Sequence, residues 1–160
     1  MEICWECEAD HYVLHWSRPL LYEEYVKNPL KLDDAYFYSI SAQWNDHEER
    51  ILYIGMTCRQ DVLSRMEQHG IKRCKRKYPR KSKNLIISVA EIIEYPGSRI
   101  TDEMVKDIEA LLIYSSWNES MVNARNIYGY KGRLCKQIHI VNSGFTLLSD
   151  KVFWGVSSSA

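Results

Sequence analysis

Arg65 and Glu109 are charged side chains in places that helical periodicity reserves for apolar ones. In "DVLSRMEQHG", Val62, Arg65, Met66 and His69 recur at i, i+3, i+4 and i+7 and so share one side of a helix. In the segment after Thr101, Val105, Glu109 and Leu112 share a side, beside Ile108 and Leu111. A charge on a core-facing stripe costs free energy unless it is paired or used. Periodicity leaves two readings open: the two charges pair with each other or sit at the stripe edges, or they act on a ligand. A second group lies on two extended segments. Period two puts Tyr36, Tyr38 and Ile40 on one face of the first, and Ile51, Tyr53 and Gly55 on one face of the second. Tyrosine phenols would then share a surface with a glycine, whose presence in a strand marks a bulge or a close approach of backbone or ligand.

The elements that must position these residues follow from local signals. Residues 3–16 read as a strand, and "SRPLLYEEYVKNP" as a short helix or turn between Pro19 and Pro29. Residues 35–41 and 50–56 form a β-hairpin around the polar loop "QWNDHEE". A short helix opens near Asp61 and stops at Gly70. After a basic loop, "NLIISVAEIIEY" reads as a long strand ended by Pro96 and Gly97. Thr101, with Asp102 and Glu103 in the first turn, opens a second helix that runs to about Trp117. A loop, a strand at 136–142, a turn at "NSG" and a short apolar tail complete the chain. This order predicts an α/β (α+β) fold, a small central sheet with a β-hairpin and flanking helices.

At 160 residues the chain has the length of one domain, and eleven tyrosines and five tryptophans supply bulk for a core. Its apolar runs fall far short of a membrane span. Five cysteines and no signal-peptide pattern predict a soluble, cytoplasmic protein with reduced thiols. The net charge of zero hides a concentrated cation. Residues 1–71 carry thirteen acidic and six basic side chains, and residues 84–160 eight and seven, whereas "KRCKRKYPRKSK" (72–83) carries eight basic and no acidic ones. Lys72, Arg73, Lys75, Arg76, Lys77, Arg80, Lys81 and Lys83 suit phosphate neutralisation, against the plainer alternative of a solvated loop. Cys4 and Cys7, with His11 and His15 nearby, do not make a zinc site, because Cys58, Cys74 and Cys135 offer no second ligand pair at suitable spacing. His47 and His139 read as loop and strand residues without partners.

The segment from 35 to 126 resembles the GIY-YIG nuclease family. "YFY" (36–38) and "YIG" (53–55) stand where the family has its two name motifs; the second matches letter for letter, and the first has Tyr36 in place of a glycine. Arg65, His69, Glu109 and Asn123 follow in the family's order, and "IEALLIYSSWNESMVN" is similar to its glutamate-to-asparagine segment. The resemblance implies a GIY-YIG-like catalytic core with additions at 1–34 and 127–160, within a single domain. It implies an endonuclease that hydrolyses phosphodiesters in DNA, in preference to RNA, leaving 5′-phosphate and 3′-hydroxyl ends. Glu109 would hold Mg²⁺ or Mn²⁺, Arg65 would clamp a phosphoryl oxygen and Tyr38 would activate water. Tyr53 and His69 would support it and Asn123 would orient the site, with Gly55 leaving room for the phosphate. Tyr36 is the alternative to Tyr38, and Asn126 to Asn123. A different class of function, a non-catalytic nucleic-acid-binding or interaction module on the same fold, is the alternative that the missing first glycine motivates.

Overall fold

A computed structural model describes residues 9–30, 35–123 and 137–154. The chain forms a mixed α+β structure around one seven-stranded sheet. In chain order the elements are β1 (Ala9–Trp16), β2 (Leu20–Leu21), α1 (Tyr22–Lys27), β3 (Ala35–Asn45) and β4 (Glu48–Met56). Then come α2 (Val62–Met66), a π-helical turn (Glu67–Ile71), α3 (Lys72–Lys77) and a 3-10 turn (Pro79–Asn84). They are followed by β5 (Leu85–Glu94), α4 (Asp102–Ser116), β6 (Gln137–Gly144) and β7 (Lys151–Trp154). The strand order is β4-β3-β5-β1-β6-β7, with β2 paired to β5. All pairs are antiparallel except β1 with β6, which run parallel. β1, β6 and β7 therefore continue the sheet begun by β3, β4 and β5, and the apolar tail contributes the strand β7.

The hairpin and both helix starts form where the sequence places them. β3 and β4 close through a tight turn at Asp46 and His47, so the strands extend further into "QWNDHEE" than the motif suggests. The Asp61 carboxylate accepts from the Ser64 backbone N–H at 3.0 Å, and the Thr101 hydroxyl accepts from that of Met104 at 3.2 Å. Each satisfies an amide that a helix start leaves without an intrahelical partner. Gly70, by contrast, is not a stop. The helical path continues through it for about two more turns to Lys77, and after a break at Tyr78 a 3-10 turn follows, so the segment 72–83 is largely helical rather than a loop. Glycine is needed there for space: a Cβ at Gly70 would lie 2.6 Å from Ile40 Cδ1 and 2.8 Å from Tyr53 Cδ1. The helix can thus press directly on the sheet.

Two apolar clusters pack on the two faces of the sheet. Trp16, Phe37, Ile54 and Ala90 meet Ile108, Leu111 and Leu112 of α4 on one face. Tyr38, Ile40, Leu52, Tyr53 and Ile87 meet Val62, Met66, Ile71 and Cys74 of the α2–α3 run on the other. Each fully buried aliphatic side chain of this kind contributes about 1.5–3 kcal/mol. Two register shifts overturn strict period two. Ile40 opposes Tyr53 while Ser41 opposes Ile51, so Leu52 is an extra residue in β4. A bulge of this kind inverts the alternation beyond it. Ile51 consequently packs toward α4 while Leu52 and Tyr53 both face α2. On β3 the pairing with β5 shifts between Ala35 and Phe37, and Tyr36 packs toward α4 with Phe37. Tyr36 and Tyr38 therefore do not share a face, nor do Ile51 and Tyr53.

Candidate active site

β4 is an outer strand of the sheet, and the segment after α4 fastens to its free side. Val122 N–H donates to the Leu52 carbonyl at 2.7 Å, and Asn118 Nδ2 donates to the Ile51 carbonyl at 3.0 Å. The buried Asn123 amide works as a strand partner: Nδ2 donates to Ile54 O at 2.8 Å, and Oδ1 accepts from Ile54 N–H at 3.1 Å. A side chain thus pairs with the free side of this outer strand. Asn123 holds in place the strand that carries Tyr53 and Gly55. Asn126, its sequence alternative, lies outside the described residues.

Gly55 faces Tyr38 directly across β3 and β4, and a Cβ at Gly55 would land on Cζ and the hydroxyl of that ring. The glycine therefore makes room for a phenol of the protein itself, which corrects the expectation that it clears space for a phosphate. Tyr38 is 0% exposed and Tyr53 is 8% exposed. Their rings stack with centroids 5.9 Å apart at 22°. Burial pushes the Tyr38 phenol far above its ordinary value, and the Tyr53 phenol near it adds to the rise. No group among the described residues makes a hydrogen bond of good geometry to the Tyr38 hydroxyl. Tyr53 acts on it through proximity. A phenol held protonated and sealed from water is not a base for water, and that part of the expected role of Tyr38 does not fit.

The charged residues gather around Tyr53. Burial raises its pKa first and the Glu109 carboxylate raises it further, while Arg73, the Tyr38 hydroxyl and Arg65 act in the opposite sense. Glu109 and Arg65 exert the same opposed effects on Tyr38. Glu109 is half-buried on α4, and it also raises the Cys58 thiol, behind burial and Asp102. Arg65 Nη1 lies 2.7 Å from His69 Nε2. Desolvation, then Arg65, then Arg73 hold His69 below its ordinary pKa, so it is a neutral imidazole accepting from the guanidinium. Tyr38, Tyr53, Arg65, His69 and Glu109 are therefore neighbours, and Asn123 stands behind them as a positioning residue. Tyr36 is on the other face.

Arg73 is the member of this group that sequence reasoning assigned only to the basic run. Arg65, His69 and Arg73 recur at steps of four, a legible signal once the helix is allowed to pass through Gly70. The other basic side chains lie further out. Lys72, Arg76, Arg80 and Lys83 are exposed. Lys75 lies over the Tyr22 ring at 5.3 Å, and Lys77 over Tyr78 at 5.4 Å. Lys81 is committed elsewhere: its ammonium donates to Gln43 O at 2.9 Å and Trp44 O at 3.1 Å and covers the Trp44 ring at 4.8 Å. It anchors the hairpin tip.

Among the described residues, no group of three or more His, Cys, Asp or Glu is arranged to hold a metal ion. A single half-buried carboxylate is nonetheless a donor set that suits a hard cation such as Mg²⁺, which keeps several waters and binds through one or two carboxylates plus substrate oxygens. Glu109 fits that demand. No helix of the described residues is long and apolar enough to cross a membrane. Comparison with known proteins gives no match to a family model, to a curated protein or to a solved structure.

Proposed function

We propose that the chain is a metal-dependent endonuclease that hydrolyses phosphodiester bonds in nucleic acid, DNA before RNA, and leaves 5′-phosphate and 3′-hydroxyl ends. The observation that carries this reading is the gathering of Arg65, Arg73, His69 and Glu109 around the Tyr53 phenol at the edge of β4. Two guanidiniums match the planar, bidentate demand of a phosphoryl group and neutralise the charge that grows on its oxygens. His69 fixes one of them by accepting from Arg65, which leaves Arg65 its remaining donors for substrate. Tyr53, protonated at neutral pH and at the lip of the cluster, donates a hydrogen bond to a phosphoryl oxygen. Tyr38 supports the Tyr53 ring from beneath. Glu109 would hold the cation, which when bound supplies Lewis-acid help to the departing oxygen. The exposed cations of α3 continue the positive surface from Arg73 along a polymer backbone.

A non-catalytic nucleic-acid-binding module is the second reading, favoured by the seclusion of Tyr38 and by Tyr36 standing in place of the first motif glycine. The half-buried Glu109 favours the enzyme, since a carboxylate facing a phosphate site weakens a purely binding surface. A reducing, cytoplasmic setting goes with the proposal and is supported by the free thiols of Cys58 and Cys74. Incubation with end-labelled DNA and RNA, with Mg²⁺ or Mn²⁺ and with chelator, tests the reading. Metal-dependent internal cleavage with 5′-phosphate products is expected. Binding without cleavage of either polymer would transfer the chain to the binding class.

A further inference from the structure

The parallel pairing of β1 with β6 places His11 directly opposite His139, although 128 residues separate them in sequence. Their rings are near-perpendicular, at 79°, and their Nδ1 atoms lie 3.0 Å apart. His139 is thus far from the solitary strand residue that the sequence suggests. On its other side the ring meets Phe153 of β7, with centroids 6.4 Å apart. Two imidazole nitrogens in contact are served in either of two ways: one carries a proton and donates to the other, or both present lone pairs to one cation. The spacing is that of a hydrogen bond, and it also fits the second arrangement. Two nitrogens each about 2.1 Å from a common ion subtend roughly 90° at it when they stand 3.0 Å apart, the angle of neighbouring ligands in a five- or six-coordinate site. Both strands are fixed by their ladder, so the ligand atoms are held together before any ion arrives.

We infer that His11 and His139 form a second metal site, chelating a borderline divalent ion such as Zn²⁺ or Ni²⁺ through their Nδ1 atoms. Imidazole nitrogen prefers such ions to the hard Mg²⁺, so the site is chemically separate from the carboxylate of Glu109. Its place in the fold gives it a role. β1 comes from the beginning of the chain and β6 from its end, and both extend the sheet away from the cluster around Tyr53. An ion shared between them staples these additions together, and binding to the folded state alone stabilises that state by mass action. The inference stands whether or not the chain is a nuclease.

The test is titration of Zn²⁺ into the full ¹⁵N-labelled chain in excess Mg²⁺, followed through the histidine ring nitrogens. The Nδ1 resonances of His11 and His139 should move together while those of His47 stay in place. His11→Ala and His139→Ala should each weaken Zn²⁺ binding about tenfold or more and abolish the rise in melting temperature that Zn²⁺ gives the parent. His11 is exposed and His139 half-buried, and the melting temperature without metal checks that each variant is folded. Resonances that do not move, or Zn²⁺ affinity unchanged in either histidine variant, would overturn the site. Cys4 and Cys7 precede His11 closely in sequence. Zn²⁺ affinity that collapses in Cys4→Ser/Cys7→Ser but survives both histidine variants would assign the ion to thiolates and equally overturn the proposal.

Discussion

The α4 face of the sheet and the edge of β4 offer two different kinds of surface. On the α4 face, Ser39, Ser41, Ser88 and Glu49 with Phe145 and Leu147 line a hollow of about 370 Å³. Several of its polar groups are already engaged: Ser41 Oγ donates to Glu49 Oε1 at 2.6 Å, and Ser88 Oγ to Ser17 O at 2.7 Å. The edge of β4 gathers two guanidiniums, a carboxylate, an imidazole and two phenols. Depth and chemistry have separated. A small molecule needs a concave, mostly apolar pocket, whereas a charged polymer needs an accessible strip of fixed charge that it can lie along. The site proposed at the edge of β4 is of the second kind.

The comparison breaks if the charged edge can be disarmed without effect. Arg65→Ala should cut single-turnover cleavage by at least about a hundredfold, the cost of losing a charge-stabilising donor. Within the stacked pair, Tyr53→Phe should lose about tenfold or more and Tyr38→Phe only a few-fold, because the Tyr38 hydroxyl is buried without a well-formed hydrogen bond. Tyr36→Phe should matter little. A loss at Tyr38 exceeding that at Tyr53 would restore the buried phenol as the reacting one. In the hollow, Ser39→Ala should leave cleavage at the parent rate, and a hundredfold loss there would move the site to the hollow.

Gly55→Ala sharpens the link between architecture and site. Its methyl would meet a ring with no room to retreat, so unfolding in urea should show a loss of about 1–3 kcal/mol. An unchanged midpoint would mean that Tyr38 can swing aside and that the close approach is incidental.

The hairpin, the long strand β5 and the caps at Asp61 and Thr101 were legible because each rests on neighbours in sequence. The bulge at Leu52 was not, since nothing local distinguishes it from ordinary alternation; it is stabilised by partners at 118 and 122. Gly70 misled because glycine ends helices by adopting a left-handed conformation, whereas here it serves close packing against Ile40 and Tyr53. The same misreading turned α3 into a loop and hid Arg73. Asn123 was found as a residue, but its work as a backbone partner of Ile54 depends on a strand edge that only the fold creates. The pairing of His11 with His139 joins opposite ends of the chain, beyond the reach of any periodicity.

The outer cations should show themselves through salt. Ala at Lys72, Lys75, Arg76 and Lys77 should weaken binding of all sequences alike and flatten the slope of log affinity against log salt by about one unit per lost phosphate contact. Lys81→Ala, which removes an anchor of the hairpin tip, should leave that slope unchanged. A flattened slope for Lys81 and none for the α3 group would reverse the assignment.

The smallest effect concerns pH. His69 is held below its ordinary pKa by desolvation and by Arg65 and Arg73, so the unfolded chain binds this proton more readily than the folded one. Its contribution to stability is full above the unfolded value near 6.5 and is lost as pH falls from there through the lower folded value. Urea midpoints measured across that window should decline with acid in the parent and less steeply in His69→Gln. Parallel curves would remove His69 from the cluster around Tyr53.

The central claim is that the edge of β4 cleaves nucleic acid through a cation held by Glu109. Single-turnover cleavage of end-labelled DNA by the parent and by Glu109→Ala, each with Mg²⁺ and with chelator, tests it most directly. The account predicts metal-dependent cleavage by the parent, and none by a variant that still folds and binds DNA. Cleavage by Glu109→Ala at the parent rate, or by the parent at full rate in chelator, would contradict it.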